Sequence, residues 1–585
     1  MKKSFTILFF LLLGSAFVFA QVAEIANFNT SNIDPTDVNR AWEQDLNHIR
    51  TAEIAYDLDQ DGKNEIIVTD YSLGGRVHVL EYNEGVLELV WSSPVREGQE
   101  SGSTPRWVRS GDLDGDGNKE IIFPLNTDGT DGEIQVWEWD GSDNSFGTAP
   151  IIDFPADLFV SSGLGAFRTN REQGWVYDFD GDGADELIMA NRDQHTYILG
   201  INGNAPGFAN WVVEGGIGSE AQSGGSWWQS LPVDYDGDGV KEIVNHYWNF
   251  YGFWSIEPTG TDTYTYPTGT NPGGGVAGPI YFEYSKNINE DGVAFMGIIP
   301  IDVDGDGNEE IFGTTYVGGG SNINYSVTLV DVGGAEASGV EVWNSQDQFS
   351  ILKDSLWTEL GLDNGEYWGN GAADLNENGR DELLLGGVPG EIVTTLEYNG
   401  TGSILDGDNY TVGKIDIFET LPSSYEHYDS SGVTWVDTAY VATQNFIAKM
   451  ASGDLTGNGK TNVVLGYQTV PDSIGHTFFV WDGIEYVEDS ASAYKDLNPT
   501  AINVRVLEAD ATGVKQLDMK LVTPNDYVLE QNYPNPFNPT TNIRFSLPVN
   551  KTVSLAVYDM LGREVKTLIN KEEFAKGSYE ADWDG

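Results

Sequence analysis

The sequence has no cysteine, six histidines and only 30 lysines and arginines against 91 acidic residues, so its formal net charge is −61 over 585 residues. The absence of cysteine excludes disulfides, thiolate metal sites and cysteine nucleophiles. The scarcity of basic residues argues against nucleic acids and anionic membranes as partners, because both bind basic surfaces. The surplus of carboxylates is typical of a protein that binds cations.

The long apolar segment of the sequence stands at its N-terminus. Lys2 and Lys3 precede an apolar run over residues 5–13, and VFA at residues 18–20 resembles a cleavage site. This pattern predicts a secretory signal peptide over residues 1–20. A membrane anchor is the alternative, but the run is shorter than the ~20 residues that span a bilayer. We therefore expect a secreted protein, extracellular or on the outer cell surface, without a transmembrane anchor.

An acidic nine-residue motif occurs seven times along the chain. The copies read DLDQDGKNE, DLDGDGNKE, DFDGDGADE, DYDGDGVKE, DVDGDGNEE, DLNENGRDE and DLTGNGKTN, and they start at residues 57, 112, 178, 234, 302, 374 and 454. Each copy leads into an apolar run, and a second alternating run such as RVHVLEYN or EIQVWEWDG often follows. Period-two alternation rich in Val, Ile and aromatic residues indicates strands.

Seven copies of one all-β unit predict a seven-bladed β-propeller over residues 21–490. Closing a ring of sheets hides most strand edges, whereas a linear array of small calcium modules, the alternative, has no reason to stop at seven. Residues 491–524 are predicted as strands of the last blade or as a linker. Residues 22–50 could instead supply the strand that closes the ring.

The motif has the spacing of a loop that surrounds a hard cation. Carboxylates at positions 1, 3 and 5 point to one centre, position 7 adds its backbone carbonyl, glycine at position 6 permits the turn, and glutamate at position 9 closes the shell. An all-oxygen shell of this kind suits Ca²⁺ at ~2.3–2.6 Å. In the second copy these ligands are Asp112, Asp114, Asp116, Asn118 and Glu120.

The same positions give the predicted ligands of the other copies. They are Asp57, Asp59, Asp61, Lys63 and Glu65; Asp178, Asp180, Asp182, Ala184 and Glu186; Asp234, Asp236, Asp238, Val240 and Glu242; Asp302, Asp304, Asp306, Asn308 and Glu310; Asp374, Asn376, Asn378, Arg380 and Glu382; and Asp454, Thr456, Asn458 and Asn462. The sixth copy has lost two charges, and occupancy of the seventh is left open. We expect about five to seven Ca²⁺ ions.

Electrostatics argue against an empty loop in this geometry. Two carboxylates ~5 Å apart repel by roughly 3 kcal/mol at an effective dielectric constant of ~20, and a divalent ion offsets that cost. A surface turn rich in Asp and Gly is the simpler alternative for one copy, but not for five complete copies in the same context. An EF-hand needs an acid at position 12 and flanking helices, whereas Val68 and Phe123 stand there and β runs follow.

These loops resemble the FG-GAP/VCBS repeat, the family that includes the N-terminal β-propeller of integrin α-subunits. The resemblance extends over roughly residues 50–490 and implies calcium bound on one face of the ring in a structural role. It implies no particular ligand, because members of the family serve in adhesion, in carbohydrate binding and as non-catalytic modules.

The C-terminal residues resemble a second family. QNYPNPFNPTT at residues 531–541 and SLAVYDMLGREV at residues 554–565 resemble the C-terminal sorting domain of proteins exported by the type IX secretion system of Bacteroidetes-like bacteria. The alternation here predicts a small Ig-like β-sandwich over residues 525–585, which we expect to be truncated. The resemblance implies the type IX machinery as a partner. A plain Ig-like accessory domain is the alternative.

The sequence offers little chemistry for catalysis. The six histidines are scattered, and no zinc-protease motif, serine elbow or phosphate-binding glycine loop occurs. We therefore predict no enzyme, but a binding or adhesion module for an unknown extracellular protein or glycan. The alternatives are a polysaccharide-degrading enzyme, its carbohydrate-binding accessory subunit, or a structural surface-layer component.

Four tryptophans and one further acidic segment can each be interpreted as structural or as functional. Trp107, Trp227, Trp228 and Trp368 precede acidic loops, where tryptophans could stack on sugars, but packing between blades is the favoured interpretation. NINEDG at residues 287–292 lacks the closing acid and is predicted to be an inter-strand loop.

Overall fold

The computed structural model of the protein is almost entirely β. It describes residues 22–29, 49–70, 75–94, 105–126, 132–153, 174–191, 195–201, 211–218, 227–247, 252–265, 282–283, 293–317, 327–331, 349–353, 366–388, 392–416, 420–428, 434–442, 444–447, 450–469, 473–474, 478–481, 484, 486–489, 495–496, 502–509, 514–516, 528–529, 541–547, 551–558, 564–574 and 577–583. Within these ranges no helix has the length and apolar character needed to cross a membrane. The predicted signal peptide and the NINEDG segment lie outside the described residues.

Seven antiparallel sheets form a ring of blades, numbered here 1 to 7 from the first acidic loop. The first four blades contain four main strands each, all taken from consecutive parts of the chain. Blade 1 comprises Ile49–Tyr56, Asn64–Asp70, Arg76–Asn83 and Val86–Ser92; blade 2 Arg109–Gly111, Glu120–Asn126, Gly132–Glu138 and Ile152–Asp153; blade 3 Gly174–Tyr177, Glu186–Asn191, His195–Ile201 and Trp211–Gly218; and blade 4 Trp227–Val233, Glu242–Tyr247, Gly252–Gly260 and Thr263–Thr265, with Phe282–Glu283 beside its third strand.

Blades 5 and 6 repeat this order, and blade 7 departs from it. Blade 5 comprises Val293–Ile301, Glu310–Val317, Val327–Val330 and Phe349–Lys353, and blade 6 comprises Glu366–Ala373, Glu382–Val388, Ile392–Tyr398 and Tyr410–Asp416. In blade 7 the first strand consists of two segments, Gln444–Ile447 and Ala451–Gly453, and the second to fourth strands are Asn462–Thr469, Ile502–Ala509 and Val22–Asn29. The predicted seven-bladed propeller is therefore confirmed.

Blade 7 joins the two ends of the propeller. Its third strand, Ile502–Ala509, pairs with Asn462–Thr469 on one side and with the N-terminal strand Val22–Asn29 on the other. Residues on either side of the 490 boundary thus share one sheet, and the N-terminal strand closes the ring. An ion pair between Arg505 and Glu24 and the buried side chain of Phe28 hold this junction together.

The second strand of each blade is buried on both faces, because a neighbouring blade covers each face. In blade 2, Ile121, Ile122 and Phe123 are at most 1% exposed, although successive strand residues point to opposite sides. This explains the continuous apolar runs that follow the acidic motifs. Hydrophobic clusters bridge blades 1 and 2, 2 and 3, 3 and 4, 5 and 6, 6 and 7, and 7 and 1.

The remaining strands lie in insertions and in the C-terminal domain. Hairpins are formed by Thr420–Tyr428 with Thr434–Ala442 and by Phe478–Trp481 with Tyr486–Asp489, Ser473–Ile474 pairs with Lys495–Asp496, and Gly407–Asn409 forms a 3₁₀ turn. The C-terminal domain has one sheet of Val514–Gln516, Gly577–Trp583, Thr541–Leu547 and Val528–Leu529 and one of Lys551–Tyr558 and Glu564–Phe574. Its core includes Phe545 stacked on Tyr579, with ring centroids 5.2 Å apart. This arrangement agrees with the predicted sandwich.

Candidate metal centres

All seven acidic motifs form loops between the first and second strands of their blades, and they are called loops 1 to 7. Since every blade has the same orientation, the loops lie side by side on one face of the ring. The Asp185 amide donates to the Asp112 carbonyl at 2.8 Å, and the Asp112 amide donates to the Asp185 carboxylate at 2.7 Å. Likewise, the Glu309 amide donates to the Asp234 carbonyl at 2.7 Å, and the Asp234 amide donates to the Glu309 carboxylate at 2.8 Å. Adjacent loops therefore support each other.

The seven loops share one backbone conformation. In every loop the carboxylate at position 1 accepts a hydrogen bond from the amide of the position 6 glycine, with distances from 2.7 to 3.1 Å. The side chain at position 5 accepts from the position 7 amide at 2.7–2.9 Å. Position 6 has positive φ throughout, for example 93° at Gly117, as the predicted turn requires.

Positions 2 and 9 fasten the loop to the core. Position 2 is apolar and at most 2% exposed in every loop, for example Leu113 at 0%. In loops 1 to 6 its backbone amide donates to Oε2 of the position 9 glutamate at 2.6–3.4 Å. The glutamate is thus carried into the interior of the sheet, where Glu120 and Glu242 are fully buried.

The second oxygen of this glutamate is the main electrostatic anomaly of the loops. Among the described residues, Oε1 of Glu65, Glu120 and Glu242 is buried without a hydrogen-bond partner. Burial, reinforced by the neighbouring Asp114, raises the pKa of Glu120 to about 9. Burial likewise raises the pKa of Glu65 to about 8 and that of Glu242 to about 9. A buried acceptor without a donor costs about 1–3 kcal/mol, more if charged, so these oxygens need a cation or a proton.

The predicted side-chain ligands come together in several of the loops. Ligand oxygens within 4.8 Å of one another are provided by Asp178, Asp180, Asp182 and Glu186, by Asp57, Asp59 and Asp61, and by Asp112, Asp114 and Glu120. These donor sets consist only of carboxylate oxygens, which hard cations such as Ca²⁺ prefer. The residues present therefore fit a calcium ion. Ligation by the position 7 carbonyls stays a prediction.

Loops 6 and 7 are held by amide side chains where the other loops have carboxylates. In loop 6, Asn376 Nδ2 donates to Glu382 Oε1, so this glutamate oxygen has a partner. In loop 7, Asn462 replaces the glutamate; its Oδ1 accepts from the Thr456 amide at 3.1 Å, and its Nδ2 donates to Glu508 Oε2 at 3.2 Å. These loops keep the shape of the others, but at positions 1, 3, 5 and 9 loop 6 has only two carboxylates and loop 7 only one, against four in loop 2.

A further acid faces most loops, and the motif search missed it. In blades 1 and 2, Glu81 and Glu138 are the cross-strand partners of Glu65 and Glu120, and blade 7 pairs Glu508 with Asn462 in the same way. We call these residues and their equivalents the third-strand acids. They are Glu81, Glu138, Glu257, Asp331, Glu397 and Glu508, with Glu214 in blade 3. Outside blade 3, the signal in the sequence is the acid near the end of the run that forms the third strand, as in RVHVLEYN.

Blade 3 supplies this acid from a different strand. Its third strand has Gly200 at the position next to Leu199, which pairs with Leu187. A side chain added at Gly200 would lie within 1.5 Å of Glu214 Oε1, so the fourth-strand glutamate fills the vacant space. Glu214 and Asp180 also have ligand oxygens within 4.8 Å of each other. The position of a carboxylate is thus kept although the strand that carries it has changed.

The next blade covers two of the loops from outside. The Asn144 amide of blade 2 donates to Asp59 Oδ2 at 2.7 Å, and the Asp262 amide of blade 4 donates to Asp180 Oδ2 at 2.6 Å. In both cases the covering residue lies in the connection between the third and fourth strands. These contacts leave Asp59 only 3% exposed.

Trp107 and His78, which were considered for sugar stacking and for catalysis, are both buried in the protein core. Trp107 is 1% exposed and packs between blades 2 and 3, which confirms the predicted packing role. The side chains of Trp227, Trp228 and Trp368 lie outside the described residues. His78 Nδ1 lies 2.8 Å from Ser92 Oγ and its Nε2 3.8 Å from Asp70, in the order of a serine triad. His78 is fully buried, so no substrate reaches its ring in this arrangement.

Comparisons with known proteins agree with this geometry. A family model described as an FG-GAP-like repeat matches residues 57–123, which contain loops 1 and 2. A second model, described as a secretion system C-terminal sorting domain, matches residues 531–581. No curated protein matches the chain.

Two solved structures are distantly similar. Sqt1 of Saccharomyces cerevisiae is 8% identical, with 86% of this chain and 93% of Sqt1 covered at a TM-score of 0.38. The rhamnogalacturonan lyase YesW is 14% identical, with 78% and 90% covered at a TM-score of 0.30. These similarities are too low to bear on function, whereas the family matches agree with the loops and with the C-terminal sheets. The chain is a seven-bladed β-propeller whose first two acidic loops match the FG-GAP-like repeat, and its residues 531–581 match a secretion system C-terminal sorting domain.

Proposed function

We propose that the protein is a secreted, calcium-stabilised β-propeller that acts outside the cell as a non-catalytic binding module. The observation that carries the calcium assignment is the buried, partnerless Oε1 of Glu65, Glu120 and Glu242, each with aspartates of its own loop nearby. A divalent cation supplies the missing partner and neutralises the clustered charge at once. Calcium would be held by the aspartates at positions 1, 3 and 5 and the glutamate at position 9.

The site of action follows from the C-terminal domain. A sorting domain implies export to the surface or the medium and contact with the secretion machinery, which we propose is of type IX. Extracellular calcium modules bind with Kd values of about 10⁻⁴–10⁻³ M, so such sites are filled where calcium is plentiful. The absence of cysteine leaves ions and core packing to stabilise the secreted ring.

A thermal melt of the full chain tests the calcium assignment. Metal-stripped protein should melt at a lower temperature than protein in excess Ca²⁺, and Mg²⁺ should restore the melt poorly because it demands a tighter octahedral shell. A site filled at 100 times its Kd contributes about 2.7 kcal/mol, so several sites shift the midpoint strongly. An identical midpoint with and without calcium would falsify the assignment.

A binding screen tests the module assignment. The calcium-loaded chain, labelled away from the loop face, is applied to immobilised extracellular polysaccharides and to a glycan array. Retention that saturates, with release of intact polymer, supports a binding module. Steady shortening of the polymer in solution would instead assign catalysis and overturn the proposal.

A further inference from the structure

The third-strand acids divide the seven blades into two groups according to the residue at position 7. This position is basic in blades 1, 6 and 7, where it is Lys63, Arg380 and Lys460. It is uncharged in blades 2 to 5, where it is Asn118, Ala184, Val240 and Asn308. In blades 1 and 7 the side chain at position 7 contacts the third-strand acid, so a base at this position gives that acid a partner.

In two blades of the first group, blades 1 and 7, the base forms an ion pair with the acid. Lys63 Nζ lies 2.8 Å from Glu81 Oε1 and 2.9 Å from Asp61 Oδ2, so it neutralises two members of the acidic cluster formed by Asp61, Glu65 and Glu81. Lys460 Nζ lies 3.3 Å from Glu508 Oε1, while Asn458 Nδ2 donates to Glu508 Oε2 at 2.9 Å. In blade 6, the Asn376 Nδ2 group donates a hydrogen bond to Glu397 Oε1 at 2.9 Å.

In the second group, the acid faces further acids. Glu138 lies close enough to Asp116, Asp114 and Asp112 of loop 2 for their charges to repel its own. Its cross-strand neighbour Glu120 is fully buried with a partnerless Oε1. Loop 2 with Glu138 thus brings five carboxylates together around an unsatisfied buried oxygen. Blade 4 repeats the pattern with Glu242 Oε1, where Glu257 is the strongest neighbouring charge.

We propose that the third-strand acids of blades 2 to 5 are additional calcium ligands, whereas those of blades 1 and 7 are held by the base at position 7 and that of blade 6 by Asn376. These ligands are Glu138, Glu214, Glu257 and Asp331. The inference rests on the proposed calcium function and adds to it a ligand from outside the loop. It also ranks the sites, since an additional carboxylate strengthens binding of a divalent cation.

Calcium binding by the full chain tests the inference directly. Metal-stripped wild type and Glu138→Gln are dialysed against graded free Ca²⁺, and bound calcium per chain is measured. We expect one site of Glu138→Gln to weaken about 10- to 100-fold, as for other residues that support a metal shell. Glu88→Gln, an exposed acid on the fourth strand of blade 1, serves as the control and should bind as wild type does.

Two substitutions at position 7 test the other half of the proposal. Asn118→Lys gives loop 2 the base that loop 1 has and should weaken one site as Glu138→Gln does, with Asn118→Gln as its uncharged control. Lys63→Asn releases Glu81 and should strengthen one site. If Glu138→Gln does not fold, as judged by circular dichroism in excess calcium, Asn118→Lys carries the test.

The outcomes separate this inference from the function on which it rests. Wild type that binds no calcium overturns both. Wild type that binds calcium, together with unchanged isotherms for Glu138→Gln and Asn118→Lys, overturns only the role of the third-strand acids. A purely structural role for Glu138 would lower the melting temperature of Glu138→Gln and leave its calcium isotherm unchanged, which also contradicts the proposal.

Discussion

In loop 2 the Gly117 amide donates to Asp112 at 2.8 Å, and in loop 7 the Gly459 amide donates to Asp454 at the same distance. The turn at position 6 is left-handed in both loops. Yet loop 2 places carboxylates at positions 3 and 5, where loop 7 places Thr456 and an asparagine. The comparison separates two properties of one motif: positions 1 and 6 set the backbone, whereas positions 3, 5, 7 and 9 set the charge.

The same two blades are stabilised from different sources. Loop 7 satisfies its polar groups internally, with Asn462 bonded to both Thr456 and Glu508. Its blade is closed by the N-terminal strand, so its stability depends on contacts between the two ends of the propeller. Loop 2 keeps a buried oxygen of Glu120 without a partner. We therefore expect blade 2 to depend on calcium and blade 7 to depend on packing.

Removing a core side chain of the closing strand should have the largest effect. Phe28 is 4% exposed and packs in the cluster shared by blades 7 and 1. Phe28→Ala should lower the free energy of unfolding by about 3–5 kcal/mol, with and without calcium, in urea titrations. Val86→Ala, at a half-exposed edge position of blade 1, is the matched control and should cost far less. If calcium restored the stability that Phe28→Ala loses, blade 7 would depend on calcium rather than on packing, contrary to our expectation.

Calcium removal should loosen one blade and spare the other. Loss of an ion that contributes about 2.7 kcal/mol corresponds to roughly 100-fold faster amide exchange in the segment it holds. Hydrogen exchange of Glu120–Asn126 should therefore accelerate in chelator, whereas Asn462–Thr469 should keep its protection. Equal acceleration in both strands would show that the ring opens as one unit and that the comparison fails.

The metal-free protein should lose stability as the pH rises. The pKa of Glu120 and Glu186 is raised to about 9, chiefly by burial, above a value near 4.5 in the unfolded chain. The folded state thus binds more protons than the unfolded state between these values, and its stability falls through that window by at most about 1.4 kcal/mol per pH unit and group. Metal-stripped protein should melt lower at pH 8 than at pH 5.5. In excess Ca²⁺ the decline should disappear, because the cation replaces the proton.

The sequence predicts the loops better than it predicts what surrounds them. The spacing within DLDGDGNKE is local, so the side chains that share a centre can be read from nine residues, and the ring follows from the count of copies. Glu138 escaped this reasoning because it faces Glu120 only through strand register, which no single motif encodes. Gly200 and Glu214 show the difficulty most clearly, since the acid moved to another strand while its place in space stayed the same.

The sequence limited the strand that closes the ring to a few candidate segments but did not identify it, because strand pairing is again not encoded locally. Val22–Asn29 and Ile502–Ala509 both alternate like outer strands, and pairing between distant segments depends on the whole ring. Only the structure identifies these two strands as a pair, through the ion pair between Arg505 and Glu24 and the packing of Phe28 in the core shared by blades 7 and 1.

The smallest expected effect on the free energy of unfolding comes from substituting the position 6 glycine of the turn that loops 2 and 7 share. Gly117 and Gly459 have φ values of 93° and 85°, and an added side chain would meet no atom within 4 Å at either position. Gly117→Ala and Gly459→Ala should therefore each cost about 1–2 kcal/mol from left-handed strain alone when metal-stripped proteins are unfolded in urea. In excess Ca²⁺ the cost at Gly117 should grow, because the strained loop also binds its ion less tightly, whereas the cost at Gly459 should stay the same. Equal growth at both positions would assign calcium to loop 7 and remove the contrast between the two loops.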